Sequence, residues 1–317
     1  MKIVVPDWKT VSIGDLDEAL LTRLGEVTFY PLTAQEELAT RIADAEAVLC
    51  NKAKMTAEVM AAAPKLKYIG LFATGYNNID LEAAKARGIT VCNAGGYSTE
   101  AVAQHTFALI LELANRVADY QALVQAGGWV HSDVFSPFRY PMTELVGKTI
   151  GVIGYGNIAK AVIRIAKAFG MTVLCYTRTP REAEGVRFVS FEELLAQSDI
   201  VSVHCPLNEQ TRHLFDSRAF AHMKDGAWFI NTARGPIVDE TALRTALESD
   251  KLGGAAVDVL QREPMRADCP LLGVKNCLIT PHVAWAPQVT RARLLDLVCE
   301  NLQAYLDGTP QNVVSLG

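Results

Sequence analysis

The stretch TIGVIGYGNIAKAV (residues 149–162) starts as an apolar strand-like run, breaks at two glycines and resumes with helix-forming residues. Its centre, Gly154-Tyr155-Gly156-Asn157-Ile158-Ala159, reads GxGxxA, the dinucleotide-binding turn with alanine in place of the third glycine. Gly154 permits the tight turn, and Gly156 lets the backbone approach a pyrophosphate. Ala159 is small enough for the helix to pack on the strand, and the helix N-terminus attracts the anion. The motif alone is weak evidence. It gains its weight from the strand before it and the helix after it.

The surrounding pattern extends this reading. From residue 149 apolar runs alternate with helices: TIGVIG, MTVLCY (171–176), DIVSVHCP (199–206), AWFINTA (227–233), GGAAVDVL (253–260) and CLITPH (277–282), with helices over 157–169, 191–196 and 239–248. This is a six-strand, doubly wound order of the Rossmann type. Ahead of it lies a second α/β block without a glycine fingerprint. Strands are expected at 2–6, 47–51, 67–73 and 89–94, and helices at 14–25, 57–63 and 78–88. One long apolar helix, 98–117, follows and suits a hinge. After a last helix at 288–306, NVV (312–314) reads as a strand returning to the first block. The expected fold is therefore α/β, with two doubly wound parallel-sheet domains. A flavodoxin-like substrate domain spans 1–98 and 286–317, and the nucleotide-binding domain (99–285) is inserted within it.

Bulk properties narrow the function. The formal charge of −5 and the lack of any Lys/Arg run argue against nucleic acid. The apolar runs are too short to cross a bilayer, and MKIVVPDW is interrupted by Pro6 too early for a signal peptide. Seven cysteines without a CxxC pair read as free thiols, several of them buried in apolar runs, which points to a reducing cytoplasm. No cluster has metal-ligand spacing, and no metal is expected.

The cofactor preference depends on the end of the second strand. An NAD-binding domain places an acid about 20 residues past the glycines. Here Cys175-Tyr176-Thr177-Arg178-Thr179-Pro180-Arg181 contains none, and Arg178 lies 22 residues past Gly156 (178 − 156). An arginine flanked by hydroxyls forms a bed for a 2′-phosphate, which favours NADP. A solvated basic loop that accepts NAD equally is the alternative.

Catalytic groups belong at the C-terminal ends of the strands. Arg234 follows WFINTA, Glu263 lies beyond AAVDVL, and His282 ends CLITPH. Histidine can give or take a proton near neutral pH, which suits acid–base work. A carboxylate on the other ring nitrogen fixes the tautomer and favours the imidazolium. Arginine binds a carboxylate in a fork and polarises a carbonyl.

With the fingerprint, the segments ATGYNNIDLEAAKARGITVCNAGGYSTEAVAQHTFALIL (73–111), VHCPLNEQTRHLF, FINTARGPIVDETAL, GAAVDVLQREP and LITPHVAWAPQVTRARL resemble the D-isomer-specific 2-hydroxyacid dehydrogenase family. Residues Ile279 through Trp285 look most like its glycerate dehydrogenase or hydroxypyruvate (glyoxylate) reductase branch. The resemblance implies a small 2-oxo acid reduced to the D-2-hydroxy acid with NADP or NAD. It implies Arg234, Glu263 and His282 as the catalytic set. Thr74 and Gly75 would offer backbone N–H groups to the substrate carboxylate, with Trp285 nearby. Asp258 would hold the nicotinamide amide. Thr99, His204, Cys205, Pro206, Thr211, Thr232 and Ala233 would line the cofactor.

A homodimer built around helix 98–117 is also implied, with Trp129 either reaching the partner or packing locally. Two other classes share the fold. A redox-sensing corepressor of the C-terminal-binding-protein type would carry a long extra tail, which is absent. A formate dehydrogenase would carry glutamine where Glu263 stands.

Overall fold

The computed structural model describes residues 1–179 and 181–314. The chain divides into two units, Met1–Ser98 with the segment from Trp285 onward, and Thr99–Ala284.

The first unit is built on β1 (Lys2–Val5), β2 (Glu26–Phe29), β3 (Ala47–Cys50), β4 (Tyr68–Leu71) and β5 (Thr90–Cys92), with α1 (Ala19–Thr22), α2 (Gln35–Arg41), α3 (Ala57–Ala61) and α4 (Leu81–Ala86). The strands pair in parallel in the order β2-β1-β3-β4-β5, the flavodoxin-like winding. Strands β3 and β4 are buried at every position, as unbroken apolar runs in a two-faced parallel sheet should be. Thr56 caps α3 and Asp80 caps α4, each accepting a first-turn N–H.

The helix expected over 14–25 is only one turn long. Asp17 accepts from Ala19 N–H, and both oxygens of Asp15 take Arg291, at 2.7 and 2.6 Å. The hydrogen bond from Arg291 holds the Asp15 pKa at about 2. The first half of the segment is therefore a loop tied by side chains, which compete with helix formation. β2 and α2 were not foreseen.

The second unit holds α5 (Thr99–Asn115), α6 (Val117–Gln125), β6 (Thr149–Ile153), α7 (Asn157–Ala168), β7 (Thr172–Tyr176), β8 (Arg187–Phe188), α8 (Phe191–Gln197), β9 (Ile200–Val203), α9 (Ser217–His222), β10 (Ala227–Asn231), α10 (Glu240–Glu248), β11 (Leu252–Val257) and β12 (Cys277–Ile279). The sheet order is β12-β11-β10-β9-β6-β7-β8, all parallel. The two-residue β8 adds a seventh strand at the edge. The winding reverses between β6 and β9, which makes their C-terminal ends the switch point of the sheet.

The helix expected over 98–117 ends at Asn115, where Arg116 adopts φ +53° and turns the chain into α6. The apolar surface of α5 is spent inside its own unit. Val102, Phe107, Ile110 and Leu113 are buried, and Phe107, Ile110 and Leu113 join Ile150, Val162 and Ile230 in one core. The apolar residues left exposed lie further on. Phe135 and Phe138 are each 90% exposed, and Trp129, whose Nε1 donates to Phe135 O, is about half exposed.

The chain then returns to the first unit as α11 (Gln288–Leu306). Its Leu294, Leu295, Val298 and Leu302 pack on Ile3, Trp8 and Tyr68. Beyond it, residues 312–314 form a single antiparallel bridge, Val313 to Cys92, rather than a strand. All seven cysteines are free, with Cys50, Cys92 and Cys175 buried. No helix among the described residues is long and apolar enough to cross a membrane.

Candidate active site

The glycine turn sits at the switch point. Gly154 takes φ +96°, a region that side-chain-bearing residues avoid, and donates to Tyr176 O at the end of β7. A Cβ on Gly154 would also press on the His204 and Cys205 backbone, at 2.9 and 3.0 Å. Two independent constraints therefore demand glycine here. Gly156 is different, because a Cβ there would meet no protein atom within 4 Å. The packing does not explain this glycine, whereas the approach of a ligand to the backbone does.

Gly156 is the N-cap of α7 and offers no side-chain acceptor to its first turn. The helix therefore presents its positive end to whatever lies in front. Ala159 is fully buried on the strands behind.

A cavity of about 700 Å³ opens at this edge. Gly154, Tyr155, Gly156, Thr177, Arg178, Thr179, His204, Cys205, Pro206 and Thr211 line it, all of them foreseen as cofactor contacts. Asn157 and Ile158 are the first residues of α7 beside it. Tyr176, Arg181, Asn208, Gln210 and Leu214 also line it and were not foreseen as contacts. The hydroxyl of Thr211 donates to Pro206 O at 2.7 Å and accepts from Asn208 N–H at 2.8 Å, which fixes that wall.

His204 contributes no charge to the cavity. Burial pushes its pKa down to about 3, and its Nε2 pairs with the Ser202 hydroxyl at 2.8 Å. The cations of the lining are thus Arg178 and Arg181, at the end of β7 where no acid stands. The turn, the unobstructed Gly156 and the two arginines fit a dinucleotide.

Thr232 and Ala233 lie outside this lining, at the exit of β10. The buried Thr232 hydroxyl pairs with Thr106 at 3.0 Å, and Ala233 N–H donates to Asn231 Oδ1. Thr99 opens α5 and is partly buried. In the first unit, Thr74 and Gly75 follow β4. Thr74 Oγ1 donates to Ala94 O, and Asn93 Nδ2 donates to Thr74 O, each at 2.7 Å. Trp285 packs with that unit's core.

The proposed catalytic residues follow three neighbouring strands. Arg234 follows β10, Glu263 lies beyond β11, and His282 comes after β12. His282 Nδ1 and Glu263 Oε2 are 2.7 Å apart, and Glu263 Oε1 accepts from Leu260 N–H at 3.0 Å. One carboxylate oxygen is thus fixed by backbone and the other meets the imidazole.

The arginine loop is locked to the same place. Gly235 is buried against the Leu260 backbone, which a Cβ would overlap. Asn231 Nδ2 donates to Arg234 O, and Gln261 N–H donates to the buried Glu240 at 2.6 Å. The Arg234 and Glu263 loops therefore form one packed piece.

Asp258 is only 1% exposed, and internal donors engage it. Oδ1 accepts from Thr280 Oγ1 at 2.6 Å and Val283 N–H at 2.9 Å, and Oδ2 accepts from Ala284 N–H at 2.9 Å. Burial pushes its pKa up, but hydrogen bonds from His105, Thr280 and the two amides outweigh this and hold it below the usual carboxylate range.

Comparison with known proteins decides the family. The family described as D-isomer specific 2-hydroxyacid dehydrogenase, NAD binding domain, matches residues 107–284. The chain belongs to that family. A hydroxypyruvate reductase of Blautia hydrogenotrophica is 43% identical, covering 99% of this chain and all of that one. A crystal structure of a Thermus thermophilus protein has a TM-score of 0.91 at 38% identity, covering 99% of this chain and all of that one. The NADPH-dependent glyoxylate/hydroxypyruvate reductase of Sinorhizobium meliloti, solved with NADP and malonate, has a TM-score of 0.86 at 30% identity, covering 99% and 96% of the two chains. This dehydrogenase is thus an oxidoreductase with an NAD-binding domain of the Rossmann kind.

The packing of Gly235 on Leu260 makes a direct prediction. Gly235→Ala should displace the Arg234 and Glu263 loops together, lowering kcat by about two orders of magnitude, the scale of a misplacement near 1 Å. Steady-state kinetics checks this, and near wild-type turnover would show that the contact does not set the geometry.

Proposed function

We propose that this enzyme reduces a small 2-oxo acid of the hydroxypyruvate or glyoxylate type to the D-2-hydroxy acid, with NADP(H) as the preferred cofactor. The hydrogen bond between His282 and Glu263 carries the reading, because it prepares an imidazole to give a proton from its other nitrogen. A bound nicotinamide supplies the hydride. His282 Nε2 gives its proton to the ketone oxygen, and Glu263 holds the ring and stabilises the imidazolium before transfer. Arg234 pairs with the substrate carboxylate and polarises the ketone. Thr74, Gly75 and Trp285 are kept as proposed substrate contacts of the first unit. The names of the relatives from Blautia hydrogenotrophica and Sinorhizobium meliloti support the substrate class.

The cofactor preference rests on Arg178 and Arg181, two guanidiniums lining the cavity at a strand end without an acid. Self-association as a homodimer is proposed through the segment after α5, where Trp129, Val130, Val134, Phe135 and Phe138 stay exposed. A reducing cytoplasm suits the seven free thiols.

Three outcomes are expected. His282→Asn should lower kcat by about 10²–10⁴-fold with cofactor affinity nearly unchanged, and wild-type turnover would remove the proton-donor role. Arg178→Ala should weaken NADPH binding by roughly 1.5–3 kcal/mol, the worth of a charged hydrogen bond, and leave NADH almost untouched. Equal losses for both cofactors would make Arg178 a solvated loop residue. Phe135→Asp with Phe138→Asp should turn a dimer into monomers in sedimentation, whereas a wild-type monomer would contradict the dimer.

A further inference from the structure

Behind His282 runs a chain of polar groups in which His105 and Thr280 have no part in the reaction described above. His105, on α5, places Nε2 3.0 Å from Thr280 Oγ1 and 3.5 Å from Asp258 Oδ1. The ring is largely buried, on a helix whose Val102, Phe107 and Leu109 are buried. A polar ring at such a place costs stability unless it is satisfied, so its partner explains its position.

The direction of the chain follows from the chemistry. Asp258 is ionised and has no proton to give, so the Thr280 hydroxyl donates its single proton to Oδ1, 2.6 Å away. Its lone pair then accepts from His105, whose Nε2 carries the hydrogen. The order is His105 Nε2–H to Thr280 Oγ1–H to Asp258.

Asp258 in turn grips the loop beyond β12. Its carboxylate takes the N–H groups of Val283 and Ala284, and its main-chain carbonyl takes His282 N–H at 2.8 Å. Between those anchors His282 has φ +55°, a left-handed conformation that a residue with a side chain leaves unless its surroundings hold it. This backbone carries the imidazole whose Nδ1 meets Glu263.

We infer that His105 is a positioning residue for His282, acting through Thr280 and Asp258 to hold residues 280–284 in the conformation that aims the imidazole. The inference rests on the reading of His282 as proton donor. Without His105 the Thr280 hydroxyl turns to other acceptors, and the buried Asp258 loses both of its side-chain donors and is left with the two amides. The loop relaxes, and His282 leaves the left-handed region.

The test is steady-state kinetics of the full-length enzyme with hydroxypyruvate and NADPH, in wild-type and His282→Asn backgrounds, with melting curves to confirm folding. His105→Leu should lower kcat by about 10–100-fold, the scale of a small misplacement, with the KM for NADPH changed less than threefold. His105→Gln, whose amide can donate to Thr280, should restore most of the loss. Thr280→Val should reproduce it, and adding His105→Leu to Thr280→Val should cost nothing more. In the His282→Asn background, His105→Leu should have no further effect.

Wild-type kcat in a folded His105→Leu or Thr280→Val enzyme would overturn the inference. So would an undiminished His105→Leu loss on top of His282→Asn. If His105→Leu does not fold, Thr280→Val carries the test alone. Full turnover in His282→Asn would instead overturn the proton-donor reading, so the two failures are distinguishable.

Discussion

In a parallel sheet every strand ends at the same edge, and each following loop is delivered there whatever its sequence. The seven-stranded sheet of the larger unit uses this constraint twice. At the reversal between β6 and β9 it opens the cavity lined by the glycine turn, Arg178 and Arg181. On the next three strands, β10, β11 and β12, it brings out Arg234, Glu263 and His282. No loop needs to be long to reach the chemistry. It needs only to be held, and buried polar groups hold it. Leu260 N–H fixes Glu263, Glu240 fixes Gln261, and Asp258 fixes the turn at His282.

Those anchors differ in what burial does to them. His204 lies at the cavity wall and is kept neutral by burial, so it shapes without charging. Asp258 is buried as well, yet stays ionised, because four donors oppose the desolvation. The positive charge at this cavity therefore comes from the end of α7 and from arginines at the lip, which keep contact with water. A buried cation there would cost more to maintain.

The sequence discloses what is local. The turn from Gly154 to Ala159 is six consecutive residues, and φ and bulk give Gly154 and Ala159 their reasons while Gly156 stands where a Cβ would meet no protein atom. Arg178 and the missing acid are visible by counting along one strand. Helix α11 and the strands β6, β7 and β9 to β12 lie on the runs expected from the sequence.

What stays hidden depends on partners far along the chain. Helix 14–25 shrinks to α1 because Arg291, far away in α11, captures Asp15. Phe107, Ile110 and Leu113 of α5 share a core with Val162 of α7 and Ile150 and Ile230 of the sheet, partners that no local pattern names. The break at Arg116 has no glycine or proline to announce it. His105 meets Thr280 across 175 residues, and no local pattern signals such a contact.

On the proposed function, the edge of the larger sheet serves catalysis as well as nucleotide binding. The most direct measurement is absorbance at the reduced-cofactor band while the purified protein is given hydroxypyruvate, glyoxylate, phenylpyruvate and 2-oxoisocaproate, each with NADPH and then NADH. The configuration of the product is assigned afterwards. The expected result is one cofactor oxidised per 2-oxo acid consumed, fastest with hydroxypyruvate or glyoxylate and NADPH, and a D-2-hydroxy acid as product. A protein that binds both cofactors tightly and oxidises neither with any of the four acids would contradict it.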